Sequence, residues 1–185
     1  MNQKIRIFIP LAVAITGVTF IILGTTQQLL RLGANDPQLQ ISRDYATNMT
    51  SHAFTNASLF QGPEKIDIAT NLAPFMIFYD SSGKVIVSTG QLNGKNPVLP
   101  KGIFNNAKEN NGETLTWQPE PGIRIATVIT PYSSSNSAGF VLAGRNMKEV
   151  EANIHNLEGK IMFGWLVTII GTFIATLLFV PSKKK

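Results

Sequence analysis

The sequence predicts an α+β protein in which two long apolar helices flank one mixed domain. Three observations carry that prediction. Residues 7–24 (IFIPLAVAITGVTFIILG) and 161–180 (IMFGWLVTIIGTFIATLLFV) contain no charged side chain. All 11 acidic residues lie between Asp36 and Glu158. Between the two apolar runs, short strand-like stretches alternate with turn residues, and the periodicity switches to helical before and among them.

The two apolar runs come first. As a helix, residues 161–180 span about 30 Å, the thickness of a hydrocarbon core. That length excludes a wholly soluble protein. The chain has no Cys, which excludes disulfides, haem-attachment motifs and Cys-based zinc sites. With only two His, no metal site and no cofactor are expected.

Charge placement sets the expected topology. The formal net charge is +5, yet the ten basic residues from Arg31 to Lys148 nearly balance the acidic ones. The remaining cations are Lys4 and Arg6 before the first run, Lys160 beside the second, and Lys183, Lys184 and Lys185 after it. Short flanks rich in Lys and Arg are the positive-inside signature. Both termini are therefore expected in the cytoplasm and the central domain outside it, in a plasma or inner membrane. The high pI reports topology, and no nucleic-acid partner is expected.

Lys4 and Arg6 also resemble the n-region of a signal peptide. The apolar run exceeds a usual h-region, and Gly24-Thr25-Thr26 is a poor cleavage site. An uncleaved signal anchor is the expectation. The predicted layout is a tail at 1–6, a first transmembrane helix at 7–30 and an outer domain at 31–160. A second transmembrane helix at 161–180 and a tail at 181–185 complete it.

The second helix carries a seam. Met147, Val150, Ile154, Leu157, Ile161, Gly164, Thr168, Gly171 and Ala175 follow in steps of three and four. Its outer residues are large and apolar. Within the apolar run they become small, as close backbone approach requires in lipid. Gly164, Thr168, Gly171 and Ala175 are the expected packing residues, against the first span (Pro10, Ala14, Gly17, Ile21, Gly24) or against a second copy in a homodimer.

Between the spans, Asp36-Pro37 reads as a helix start, with Asp as N-cap. Ile41, Tyr45, Met49 and His52 share one face of that long helix, which ends at Gln61-Gly62-Pro63. Phe75–Asp80 and Val85–Ser88 form a hairpin through a Ser-Ser-Gly turn. The first of these strands is apolar on both faces, which predicts a central position. Asn93-Gly94 and 97–102 read as loop. A short helix at Ile103–Glu109 stops at Asn111-Gly112. Thr114–Trp117 and Ile123–Thr130 are strands joined through Pro119-Glu120-Pro121-Gly122, and Gly139–Ala143 is the last of five antiparallel strands.

The FMIFYDSSGKVIVSTG hairpin and the GFVLAGRNMKEVE passage from last strand to exit helix resemble the extracytoplasmic PAS-like (Cache-type) sensor domains of bacterial membrane signalling proteins. The resemblance covers about 36–160. It implies a small-molecule pocket on one sheet face and two membrane helices that relay its occupancy. Those receptors continue into an output module, whereas Pro181-Ser182-Lys183-Lys184-Lys185 follows the second run here. The resemblance therefore implies a separate signalling or membrane protein as partner.

Chemistry is sparse. No Gly-x-Ser-x-Gly elbow is present, and Ser81 with Lys84 has Ser-x-x-Lys spacing only across a hairpin turn. His155 lies on a helix flank, and His52 on an expected interface face. Asn48 and Asn56 begin sequons that matter only in a eukaryotic secretory pathway. No enzymatic activity is expected. The expected ligand-binding residues are Tyr79, Asp80, Trp117 and Tyr132, each near a strand end or loop, on the sheet face beside the first helix. Two functional classes follow. One is a membrane-anchored sensor-like or accessory protein that binds a small ligand or envelope partner and relays it. The other is a non-catalytic structural subunit of a membrane complex.

Overall fold

The computed structural model describes residues 3–51, 65–100, 102–135 and 137–181. The expected helix stop at Gln61-Gly62-Pro63, His52 and the sequon at Asn56 lie outside them. Helices α1 (Gln3–Gly33) and α2 (Asp36–Ser51) precede β1 (Ile66–Asp67), β2 (Phe75–Asp80), β3 (Val85–Ser88) and β4 (Gly90–Gln91). Then follow α3 (Gly102–Glu109), β5 (Glu113–Glu120), β6 (Ile123–Ser133), β7 (Ala138–Asn146) and α4 (Lys148–Phe179). The chain divides into two compact units, one formed by the two chain ends up to Arg31 and from Glu151, the other by Leu32–Val150.

In the first unit, α1 and α4 are each long and apolar enough to cross a membrane. They run antiparallel, as three side-chain bonds along their length record. Lys4 Nζ donates to the Leu177 carbonyl at 2.7 Å, Trp165 Nε1 to Thr16 Oγ1 at 3.0 Å, and Gln27 Nε2 to Glu158 Oε1 at 2.5 Å. Phe8 and Phe173 meet edge to face. The stripe of α4 least exposed to solvent is Ile154, Leu157, Ile161, Trp165, Ile169, Thr172 and Thr176. The seam thus holds from Ile154 to Ile161, then departs. Gly164, Thr168, Gly171 and Ala175 are exposed, and a Cβ at Gly164 or Gly171 would meet nothing within 4 Å. The α1–α4 contact is therefore not built on the small residues. A bulky ring with a polar handle lies in the contact instead, its indole N–H donating to the Thr16 hydroxyl.

The second unit is built on a five-stranded antiparallel sheet of order β3-β2-β7-β6-β5, with a long helix preceding it. β2 lies inside the sheet, and alternation sends its side chains to two separate cores. Phe75, Ile77 and Tyr79 join Ile125, Ile129, Phe140 and Leu142 beneath Phe104 and Ala107 of α3. Phe78 joins Tyr132 and Val141 beneath Ala46 and Met49 of α2. A strand apolar on both faces therefore sits where both faces are covered, as its sequence predicts.

α2 departs from its expected face. Its buried stripe is Gln38, Ser42, Ala46 and Met49, rotated away from Ile41 and Tyr45, which are half-buried. Small side chains let the helix approach β6 and β7 closely. Ser42 Oγ shares a hydrogen bond with Thr130 Oγ1 at 2.8 Å, and Tyr45 packs its ring edge on Phe78. The helix also starts one residue early, since Leu39 N donates to the Asn35 carbonyl. Asn35, not Asp36, is thus the N-cap.

Turns follow their chemistry. α3 ends on Asn111 at φ 54°, with Gly112 N donating to the Ala107 carbonyl at 2.8 Å, the Schellman arrangement. β5 runs on through a bulge to Glu120, leaving only Pro121-Gly122 as the turn, with Gly122 at φ 81°. The expected four-residue turn is shorter because the bulge accommodates Pro119, which lacks a ladder N–H.

Candidate functional site

A cleft of the second unit lies between the segment after β4 and the end of β5. Two backbone hydrogen bonds pair Leu92 with Lys95, with Asn93 at φ 52° and Gly94 at φ 73°. These signs make a type I′ hairpin turn, the arrangement Asn-Gly favours. Pro97, Val98, Leu99 and Pro100 continue the wall, and Trp117, Gln118, Pro119 and Glu120 form the other side. The open cleft has a volume of about 690 Å³.

Its buried lining is apolar, and its exposed lining mixes polar side chains with Val98 and Pro100. Trp117 is only 6% exposed and packs in the core with Leu99. Asn93 Nδ2 donates to Glu120 Oε1 at 2.6 Å, tying the hairpin to the end of β5. Lys65 Nζ donates to Asn96 Oδ1 at 2.9 Å. Lys95, Asn96 and Gln118 add a cation and two amides to the lining. Three prolines stiffen the walls, so less conformational entropy is lost on filling the cleft. A ligand with an apolar portion and hydrogen-bonding groups fits such a lining.

The four sequence-predicted residues do not converge. Trp117 pairs with Ile125, whereas Tyr79 pairs with Phe140 and through it with Pro131. From Ile125 to Pro131 the chain rises about 20 Å. Only Trp117 lines the cleft. Tyr79, 1% exposed, lies against Phe104 in the α3-side core, and its hydroxyl has no hydrogen-bond partner among the described residues. Burial alone pushes that hydroxyl well above the usual tyrosine range.

Asp80 and Tyr132 share the opposite face, on either side of Gly139 in one cross-strand row. Asp80 Oδ1 accepts from Ser82 Oγ at 2.6 Å, Ser82 N at 2.8 Å and Lys84 N at 3.0 Å. The Ser82 hydroxyl first, then the Lys84 amide, holds its carboxyl below the usual range. Its role is to cap the turn. Tyr132 is buried against Met49 and Val141; burial, then the Asp80 charge, raises its pKa. Beside α2, where the ligand was expected, an open groove of about 390 Å³ is lined by Arg43, Thr47, Asn111 and Thr130 among others, and by none of the four.

The cleft residues missed in the sequence are Asn93, Lys95, Asn96, Gln118 and Glu120. Asn-Gly flanked by Leu92 and Lys95 was a legible hairpin signal. That this hairpin would face β5 was not, because no local pattern encodes the contact. Among the described residues, no group of three or more His, Asp and Glu stands together to hold a metal ion. No protein-family model matches the chain, and no curated protein matches it.

Proposed function

We propose that this chain is a two-pass membrane protein whose central domain lies outside the cytoplasm and binds a small ligand or envelope partner in the Trp117 cleft. It acts as a sensor-like or accessory protein that relays occupancy to a separate protein. The antiparallel α1–α4 pair supports two crossings, with Lys4 at the Leu177 end of α4. The Lys and Arg flanks then favour a cytoplasmic location for both termini. The element order — long helix, hairpin, short helix, three strands, exit helix — supports the PAS-like reading.

One observation carries the functional proposal. The cleft sits at the end of the sheet from which the chain leaves for α4: Trp117 pairs with Ile125, Ile125 with Asn146, and α4 begins at Lys148. A ligand there stands two strands from the start of a helix that continues to Phe179. Such a ligand biases the helix only by its differential affinity for two helix positions, commonly ~1–3 kcal/mol.

The test is a thermal-shift screen of the full chain in lipid nanodiscs against amino acids, carboxylates and polyamines. A ligand at about a hundred times its Kd adds about 2.7 kcal/mol. Lys95→Ala and Gln118→Ala should abolish the shift while leaving the unliganded melting point unchanged. If no compound shifts the melting point, the structural-subunit reading wins, consistent with the filled core beneath α2.

A further inference from the structure

Asn146 is the residue at which the sheet becomes α4. It is 5% exposed, and its amide is used at both ends. Oδ1 accepts from Lys148 N, the first amide of α4, at 2.8 Å, which satisfies one of the helix's unpaired N–H groups. Nδ2 donates to the Ile68 carbonyl at 2.9 Å and to the Ala69 carbonyl at 3.1 Å. Its neighbour Arg145 repeats the pattern. Arg145 Nε donates to the Leu72 carbonyl at 3.0 Å, and Nη2 to Glu149 Oε2 at 2.6 Å. Two adjacent side chains therefore fasten residues 68–72 to the first turn of α4.

Residues 66–68 are in turn fastened to the cleft wall. β1 pairs parallel with β4, Ile66 against Gly90 and Asp67 against Gln91. Ile68 N donates to the Gln91 carbonyl at 3.0 Å. Leu92, next in the chain, opens the Asn93-Gly94 hairpin that forms the wall. On the far side, Met147 N donates to the Arg124 carbonyl at 2.8 Å, beside the Ile125 that pairs with Trp117.

We infer that Asn146 is a two-sided clasp: it couples the position of the β1 segment, and with it the cleft wall, to the capping of α4. The amide suits this because one group supplies an acceptor to the helix and donors to the loop in fixed geometry. When the Ile68 and Ala69 carbonyls move, the Asn146 side chain turns with them and its oxygen leaves Lys148 N. The clasp operates whether or not the cleft takes a ligand.

Asp67 provides a handle at the loop end. Its Oδ1 accepts from Ala69 N at 2.9 Å, and its carbonyl from Asn71 N at 2.8 Å, so it orders the turn that presents both carbonyls. The experiment is hydrogen exchange on the full chain in nanodiscs, without ligand, as a double-mutant cycle. In the wild-type background, Asp67→Ala should speed exchange at residues 148–151 by about fivefold, the loss of one cap. In Asn146→Ser, which keeps an oxygen for the cap but has no amide donors for the loop, Asp67→Ala should leave those amides unchanged. An equal effect in both backgrounds, or none in either, overturns the clasp. Asn146→Asp serves if the Ser variant does not fold. Failure of the ligand screen would not alter these rates, so the two ideas fall separately.

Discussion

At Gly139 a side chain has nowhere to go. An added Cβ would land on the Tyr79 carbonyl oxygen and stand 2.8 Å from Tyr132 Oη. The glycine lets β7 lie close to β2 while the Tyr132 ring crosses it. Gly139→Ala must push strands apart or displace the ring, an overpacking cost of about 3 kcal/mol. A denaturation midpoint unchanged in full chain held in micelles would refute that packing. Asp80, in the same row, makes a pH prediction. Its folded pKa is depressed below the ordinary 3.8, so its contribution is complete above the unfolded value and is lost as pH falls through the folded one. Exchange at Ser82 N and Lys84 N should therefore quicken below about pH 4 beyond the intrinsic change. Asp80→Asn, which keeps an acceptor but does not titrate, should flatten that excess.

Secondary structure was more legible than orientation at the scale of elements. The β2–β3 hairpin, the α3 stop at Asn111-Gly112 and the interior place of β2 follow from local residues, because turn dihedrals and alternation are local physics. Helix rotation is not local. In α2 the sequence favours Ile41 and Tyr45 inward, yet Ser42 and Gln38 are buried because the floor of β6 and β7 rewards close approach. The placement of the expected site residues is set the same way: Tyr79, Asp80 and Tyr132 share a sheet end but not a face, and only the fold brings Lys95 to Trp117. In α4 the small-residue seam yields to Trp165 and its Thr16 partner. Thr16→Val should therefore weaken the α1–α4 pairing by about 1 kcal/mol, since the half-buried indole N–H loses its acceptor. Gly171→Leu should leave the pairing unchanged, because that position is open. Crosslinking between cysteines introduced at Phe8 and Phe173 reads both outcomes. A loss with Gly171→Leu alone would restore the seam to the intramolecular contact.

The orientation of the whole molecule rests on charge and on helix direction together. An antiparallel α1–α4 pair brings Lys4 to the C-terminal end of α4, and the residues after it include Lys183, Lys184 and Lys185. If both helices cross the bilayer, these cations share one side, and retaining them there is favoured in the cytoplasm. Ser82, in the β2–β3 turn, then lies outside. The chain has no cysteine, so each single-cysteine variant reports one position without background. In whole cells an impermeant maleimide should label Ser82→Cys and spare Ser182→Cys, and both should react once the membrane is opened. Labelling of Ser182→Cys in intact cells would reverse the topology and, with it, put the Trp117 cleft on the cytoplasmic side, where no envelope ligand reaches it.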